Sequence, residues 1–114
     1  MEITTTPQSG VTVLALNGRL DGVTSPDLEQ ALDGRLAAGE SKIVFDCSSL
    51  GYTSSAGLRV FLSAAKRADT AGGKIAFSSL QEPVAEVFKL SGFDKLFAIH
   101  NSVADAVASL TSSK

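Results

Sequence analysis

The sequence predicts a single α/β domain, and three observations support this fold class. The chain has 114 residues, which is close to the size of one domain and enough to bury a core. Hydrophobic residues make up 44% and charged residues 19%, so a disordered, collagen-like or coiled-coil chain is excluded. Short β-favouring runs alternate with helical segments, which indicates a partly parallel sheet. We expect one domain over residues 1–114, with a mixed sheet of four to five strands and about four helices.

The first two predicted elements are strands joined as a β-hairpin. Residues 3–5 and 11–16 are β-favouring runs, and the turn-forming sequence P-Q-S-G separates them. A loop with the sequence N-G-R-L-D-G-V-T is predicted next. A first helix then begins with Ser25 as N-cap and Pro26 at its first position, and it ends at Gly39.

The rest of the chain alternates between strands and helices. The predicted elements are a strand over residues 42–46, a helix over about 54–71, a strand over 74–78, a helix over about 83–90 that Gly92 ends, and a strand over 96–99. Ser102, with Asp105 three residues later, resembles a capping box that opens a last helix. The apolar stripe of this helix is Val103, Val107 and Leu110. We expect the final T-S-S-K to fray.

Charge and composition exclude several classes of function. The formal net charge of -2 provides no positive field for a nucleic-acid backbone. Cys47 is the only cysteine, so an intrachain disulfide and a thiolate metal cluster are excluded, and we expect a buried core thiol. No apolar run is long enough for a membrane span, and the N-terminus does not resemble a signal peptide. We expect a cytoplasmic protein that binds neither nucleic acid nor membrane.

The paired serines Ser54 and Ser55 stand where the third predicted strand gives way to a helix. At 100° per residue, the polar residues that follow Ser55 lie within about 80° of it on the helical wheel. They are Arg59, Ser63, Lys66 and Thr70, and the apolar arc opposite holds Leu58, Phe61, Leu62, Ala65 and Ala68. Ser55 should therefore face solvent. Ser54 falls in the apolar arc, and we expect Ser54 or Thr53 to be the N-cap, with its oxygen bonded to a first-turn amide.

A hydroxyl at a helix N-terminus lies where the helix dipole favours a phosphate group. The residues alone allow two interpretations of this serine pair. The serines either cap the helix or sit in solvent with no further role, or one of them accepts a phosphate and so acquires negative charge.

Two segments carry a resemblance to a known family. The segment D-C-S-S-L-G-Y-T-S-S-A-G-L-R-V begins at Asp46, and N-G-R-L-D-G-V-T-S-P-D-L contains Gly18, Leu20 and Asp21. Together they resemble the two signatures of STAS domains of the anti-sigma-factor antagonist group, over nearly the whole chain. In that family the serine two positions before a glycine accepts phosphate, and here this serine is Ser55. Many members carry aspartate before it where this chain has Ser54, so Ser54 is the alternative acceptor.

The resemblance implies partner switching. The unphosphorylated protein would bind an anti-sigma factor that is also a serine kinase, and would thereby release the sigma factor. Phosphorylation of Ser55 by that kinase would end the association, and a metal-dependent serine phosphatase would restore it. ATP and the metal would belong to these partner enzymes, so we expect no cofactor, no metal and no catalytic activity in this chain.

The partner would meet the edge of the sheet at which the parallel strands end. Loops at residues 18–25 and 46–54 leave that edge together, and we expect Asp46 to lie near Ser55 there. The candidate partner-binding residues are Asp21, Thr24, Tyr52, Ser55, Gly57 and Arg59. Each has an ordinary structural alternative: turn hydrogen bonds for Asp21, core packing for Tyr52, tight packing for Gly57 and a solvated side chain for Arg59.

Two other functions compete with the switch. One is a constitutive STAS-type interaction or dimerisation module whose Ser55 is never modified. The other is a small serine hydrolase, because a serine after a strand resembles a nucleophile elbow. The elbow's first glycine is replaced by Thr53, and His100, the only histidine, would have to act as the general base. The sequence G-G-K at residues 72–74 lacks the other residues of a phosphate-binding loop.

Overall fold

The computed structural model describes residues 1–111 as one mixed five-stranded sheet with five helices. The elements in chain order are β1 Glu2–Gln8, β2 Val11–Leu20, α1 Ser25–Ala37, β3 Lys42–Thr53, α2 Ser55–Thr70, β4 Lys74–Ser78, α3 Glu82–Ser91, α4 Phe93–Leu96, β5 Ala98–His100 and α5 Val103–Thr111. The strands follow one another in the sheet in chain order. The pair β1–β2 is antiparallel and the other three pairs are parallel, so the predicted α/β class is confirmed.

The N-terminal hairpin closes with a two-residue turn. Ser9 and Gly10 have φ angles of 54° and 80°, and Gln8 pairs with Val11 on either side of them. Two positive φ angles in succession give a turn whose twist matches that of the strands. The predicted hairpin is confirmed, but both strands are longer than predicted. The strand β2 continues to Leu20 and includes half of the sequence that we expected to form a loop.

The strand β3 also continues beyond its predicted end at residue 46. Residues 46–53 are not a loop, because β2 continues beside them and pairs with them as far as Thr53. Two register shifts interrupt this pairing. Ala15 pairs with Asp46 and Leu20 with Thr53, so β3 uses two more residues than β2 over the same length. Extra residues of this kind bend a strand and change the direction of its side chains near its end.

The hydrophobic core lies on both faces of the sheet. On one face, the aromatic rings of Phe45, Phe61 and Phe77 pack with centroids 4.9–5.1 Å apart, beneath α1, α2 and α3. On the other face, Val107 and Leu110 of α5 cover a smaller cluster of strand residues. Cys47 is fully buried, and this burial raises the pKa of its thiol. The expected core thiol is confirmed.

The helices differ from the predictions mainly at their ends. The N-cap of α1 is Thr24, so Ser25 is one residue inside the helix. The four-residue helix α4 was not predicted, and it makes a fifth helix where about four were expected. The cap of α5 is confirmed, because the Asp105 N–H donates to the Ser102 hydroxyl at 3.1 Å. Of the predicted frayed end, residues 112–114 lie outside the described part of the chain.

Candidate functional site

Two helix starts meet at the edge where β2 and β3 end. Leu20 and Thr53 are register partners, and the Ser54 N–H donates to the Leu20 carbonyl at 2.9 Å. Asp21 and Ser54 are therefore the first residues beyond two adjacent parallel strands. The β2–α1 turn, residues 21–24, and the β3–α2 junction, residues 53–57, form one surface, as parallel strand order requires.

The β2–α1 turn is held by hydrogen bonds around Asp21. Its Oδ1 accepts from the N–H groups of Val23 at 3.0 Å and Thr24 at 3.1 Å. The Thr24 hydroxyl accepts from the Asp21 N–H at 2.9 Å and donates to the Arg19 carbonyl at 2.7 Å. The backbone bonds from Thr24 and then Val23 lower the pKa of the Asp21 carboxyl. Asp21 therefore satisfies turn amides and is negatively charged at neutral pH.

Ser54 has the backbone of an N-cap, but its hydroxyl does not act as one. Its φ and ψ are -101° and 179°, and its carbonyl accepts from the Leu58 N–H at 3.1 Å. The Ser54 Oγ is buried without a hydrogen-bond partner among residues 1–111. The Thr53 hydroxyl donates to the Ser54 carbonyl at 3.2 Å and does not cap the helix either. The expectation that one of these oxygens binds a first-turn amide was wrong, because neither side chain is turned toward those amides.

Ser55 is the first residue of α2, and its side chain is exposed. Its hydroxyl makes no hydrogen bond within the described part of the chain. The outward orientation predicted from the helical wheel is confirmed, since the rest of the polar stripe is also exposed and Phe61 and Ala68 are buried opposite it. The first turn of α2 contains no acidic residue. The N–H groups at this end therefore have no negative side chain of their own helix beside them.

Gly57 packs closely against the ends of β2 and β3. A Cβ at this position would lie 2.6 Å from Cδ2 of Leu20, and closer still to the Thr53 hydroxyl oxygen. Gly57 is buried, and so are Leu20 and Thr53. Glycine is required here by the packing of the chain's own residues. Direct contact of a partner with Gly57 stays a prediction.

The remaining candidate residues, Tyr52 and Arg59, lie on either side of the β3–α2 junction in the chain. Tyr52 is half-buried, and the Arg19 guanidinium lies 4.3 Å above the centroid of its ring. Arg59 is exposed one helical turn after Ser55 and lines a shallow cleft of about 290 Å³ between the starts of α1 and α2. The predicted partner-binding residues thus lie in or beside the β2–α1 turn and the β3–α2 junction. Their role in partner binding stays a prediction.

Sequence reasoning missed two residues at this surface. Val23 is 86% exposed at the tip of the hydrogen-bonded β2–α1 turn. The signal for it was an apolar residue between turn-forming neighbours, in the sequence D-G-V-T. Arg19 was missed because its contact with Tyr52 depends on the cross-strand register, which the sequence does not reveal.

Asp46 lies away from this surface, contrary to our expectation. It pairs with Ala15, five residues before Leu20 on β2. At about 3.3 Å per residue, this separates Asp46 from the strand ends by about 17 Å. His100 pairs with Ser78, which pairs with Asp46, so it lies at the same level two strands away.

Both the sequence and the fold of this chain have known relatives. The model of the family described as the STAS domain matches residues 2–106. The chain belongs to the STAS domain family. A Bordetella bronchiseptica protein described as a candidate anti-sigma factor antagonist, BtrV, is 35% identical to this STAS domain over 108 residues, which are 95% of this chain and 93% of that protein.

Solved structures show the same fold. The crystal structure of a candidate anti-sigma factor antagonist from Thermotoga maritima has a TM-score of 0.89 at 23% identity, and the match covers 95% of this STAS domain and 93% of that chain. The unphosphorylated Bacillus anti-sigma factor antagonist SpoIIAA has a TM-score of 0.85 at 15% identity, with 99% of each chain covered. At these identities the likeness establishes the fold alone.

Residues 1–111 contain neither a candidate membrane-spanning helix nor a candidate metal-binding cluster. No helix there is both long and apolar enough to cross a membrane. No group of three or more His, Cys, Asp or Glu side chains there is arranged to hold a metal ion.

Proposed function

We propose that this STAS domain is an anti-sigma-factor antagonist controlled by phosphorylation of Ser55. In the unphosphorylated state it binds an anti-sigma factor that is also a serine kinase, and this binding releases the sigma factor. The observation that carries the proposal is the exposed, unbonded Ser55 hydroxyl beside a fixed turn at Asp21. The similarity to BtrV supports the choice of partner class. Sigma factors act in the cytoplasm, which is where we place this protein.

The covalent step belongs to the partner kinase. The Ser55 oxygen attacks the γ-phosphorus of ATP, so that a new O–P bond forms while the bond to the β,γ-bridging oxygen breaks and ADP leaves. The hydroxyl proton passes to a base of the kinase. A metal-dependent phosphatase then returns Ser55 to the hydroxyl by transferring the phosphoryl group to water. The STAS domain supplies the hydroxyl and the docking surface, and it needs no cofactor of its own.

The modification acts on the interface and leaves the fold intact. A phosphoserine adds about 1.5 to 2 negative charges, and a helix N-terminus favours such a charge by about 0.3–1 kcal/mol. The ionised carboxylate of Asp21 already lies at the adjacent strand end. A partner that fits this surface beside the Asp21 carboxylate loses fit and meets repulsion when the phosphate adds its further negative charge. A hundredfold loss of affinity requires only about 2.8 kcal/mol.

Binding of three variants to the cognate kinase tests this function. Ser55→Ala should bind as tightly as the wild type and should not be phosphorylated, while Ser55→Glu should bind about a hundredfold more weakly. Ser63→Glu is the matched control, because Ser63 is exposed on the same stripe of α2 but two turns from the helix start. Tight binding by Ser55→Glu, or equal weakening by Ser63→Glu, would contradict a charge switch at Ser55.

Two alternatives lead to different outcomes. A constitutive STAS interaction module would bind its partner with no phosphate ever found on Ser55. The serine hydrolase would need His100 near Ser55, but the strand register separates them by roughly 20 Å. That separation leaves Ser55 without a histidine base, and it disfavours the hydrolase.

A further inference from the structure

Arg59 differs from the other arginines of the chain. Arg35 pairs with Glu40 at 3.2 Å, Arg67 pairs with Asp33 at 2.8 Å, and the third, Arg19, lies over the Tyr52 ring. Arg59 has no ion pair, hydrogen bond or ring contact with any residue between 1 and 111. Glu29 lines the same 290 Å³ cleft, yet no ion pair joins it to Arg59. The one arginine with a free guanidinium is therefore the one beside the candidate phosphorylation site.

The position of Arg59 suits a group attached to Ser55. The two residues are four apart on α2, which places them about 40° apart around the axis and about 6 Å apart along it. Side chains at this spacing lie on one face and contact each other, and a negative group N-terminal to a positive one is the favourable order. The planar guanidinium can donate two parallel hydrogen bonds to phosphate oxygens. No acidic residue in the first turn competes for it.

We propose that Arg59 is the intramolecular partner of the phosphate on Ser55, an inference that rests on the proposed phosphorylation. The unphosphorylated protein leaves the Arg59 guanidinium available to a carboxylate of the partner. After phosphorylation, the phosphate draws Arg59 along α2 and occupies its hydrogen-bond donors. The modification thus adds negative charge and also withdraws the cation from the docking surface.

The charged groups near Ser55 would shift the second pKa of a phosphate attached to it, and this pKa can be measured. Asp21 in the β2–α1 turn and Glu29 on α1 are negative, so both raise the second pKa of a nearby phosphate. Arg59 on α2 lowers it, and Arg19 on β2 is the other cation in the neighbourhood. The N-terminus of α2 lowers this pKa as well, so the contribution of Arg59 is separated from those of the helix and of Arg19 by substitution.

The experiment uses protein with phosphoserine incorporated at position 55 during translation, so it does not depend on any kinase. A ³¹P NMR titration of the full chain gives the second pKa of the phosphate. We expect Arg59→Gln to raise this pKa by about 0.15–0.4 unit, the size that an i,i+4 charge pair gives, and Arg59→Lys to raise it by less. A change of this kind would not follow from a merely structural role of Arg59.

Two controls complete the titration. Lys66→Gln removes an exposed cation from the same stripe of α2, about three turns beyond Ser55, and should leave the pKa unchanged. An unchanged pKa in Arg59→Gln, or a rise in Arg19→Gln instead, would overturn the proposal. Because the phosphoserine is incorporated during translation, this result is independent of whether the cognate kinase modifies Ser55. Failure of the proposed function and failure of the Arg59 pairing can thus be told apart.

Discussion

The two helix starts at the end of the sheet are built in opposite ways. In the β2–α1 turn, Oδ1 of Asp21 and the Thr24 hydroxyl each make two hydrogen bonds to the backbone. At the β3–α2 junction, Ser54 Oγ is buried and the Ser55 hydroxyl is exposed, and neither has a hydrogen-bond partner among residues 1–111. The two segments are adjacent, so the difference does not arise from their place in the fold.

The difference indicates a division of roles. A hydrogen-bonded turn has one shape and can serve as a fixed part of a docking surface. A hydroxyl that caps a helix contributes about 1 kcal/mol to stability, which would be lost when the oxygen is esterified. Because the α2 start does not depend on the Ser55 hydroxyl, the fold can accept and lose a phosphate there at little cost.

The largest effect on this arrangement is expected at Gly57, where α2 packs against the ends of β2 and β3. Gly57→Ala places a methyl group against Leu20 and Thr53, and overpacking of this kind should lower the free energy of unfolding by about 1–3 kcal/mol. Gly34→Ala in α1 is the matched control, since nothing lies within 4 Å of its Cβ position. Helix propensity should make that variant more stable by about 0.5–1 kcal/mol. Urea denaturation measures both, and equal effects of the two substitutions would contradict the close packing.

A smaller effect distinguishes the serine at the start of α2 from the serine at the start of α5. Ser102→Ala removes a hydroxyl that binds the Asp105 N–H, and it should cost about 1 kcal/mol. Ser54→Ala removes a buried hydroxyl with no bond, so it should leave the free energy of unfolding unchanged or raise it. Thermal unfolding of both variants is the measurement. A loss at Ser54 as large as that at Ser102 would show that Ser54 does cap α2.

The smallest expected effect is a pH dependence of the free energy of unfolding that arises from Asp21. Its pKa is lowered in the folded protein, so its stabilising contribution is complete above the unfolded value of about 3.9 and is lost as the pH falls through the folded pKa. Asp21→Asn keeps the acceptor oxygen and removes the charge. We expect it to be less stable than the wild type at pH 7, with the difference shrinking as the pH falls below 4.

The control for Asp21 is Glu86→Gln. The Glu86 side chain is exposed, and its carboxylate makes no hydrogen bond or ion pair within residues 1–111. Urea midpoints measured from pH 7 to pH 3 should converge for Asp21→Asn and the wild type, and should stay parallel for Glu86→Gln and the wild type. Parallel curves for Asp21→Asn would mean that the turn does not depend on the carboxylate charge.

The fold class could be predicted from the sequence, whereas the length of β3 could not. The alternation of elements follows from local residue patterns, and it predicted the hairpin and the parallel strands. The segment D-C-S-S-L-G-Y-T contains residues typical of loops, but it is a strand because β2 extends beside it. Strand formation depends on such neighbours more than on intrinsic preference. The helix α4 is four residues long, too short for a helical period to appear in the sequence.

The candidate site, like the fold, could be predicted only in part from the sequence. The orientation of Ser55 follows from helix geometry and was predicted correctly. The capping role of Ser54 was inferred from residue type, but a cap also requires a side-chain orientation that only the packed structure determines. The expected proximity of Asp46 failed with the expected loop, because seven further strand residues carry the chain away from it.

We propose that the phosphorylated atom is the Ser55 oxygen, and locating the phosphate at residue level tests this proposal. The protein is incubated with its cognate kinase and ATP, and the phosphorylated residue is located by mass spectrometry in the wild type, Ser54→Ala and Ser55→Ala. We predict one phosphate on Ser55 in the wild type and in Ser54→Ala, and none in Ser55→Ala. Phosphate on Ser54, or labelling that persists in Ser55→Ala, would contradict the account.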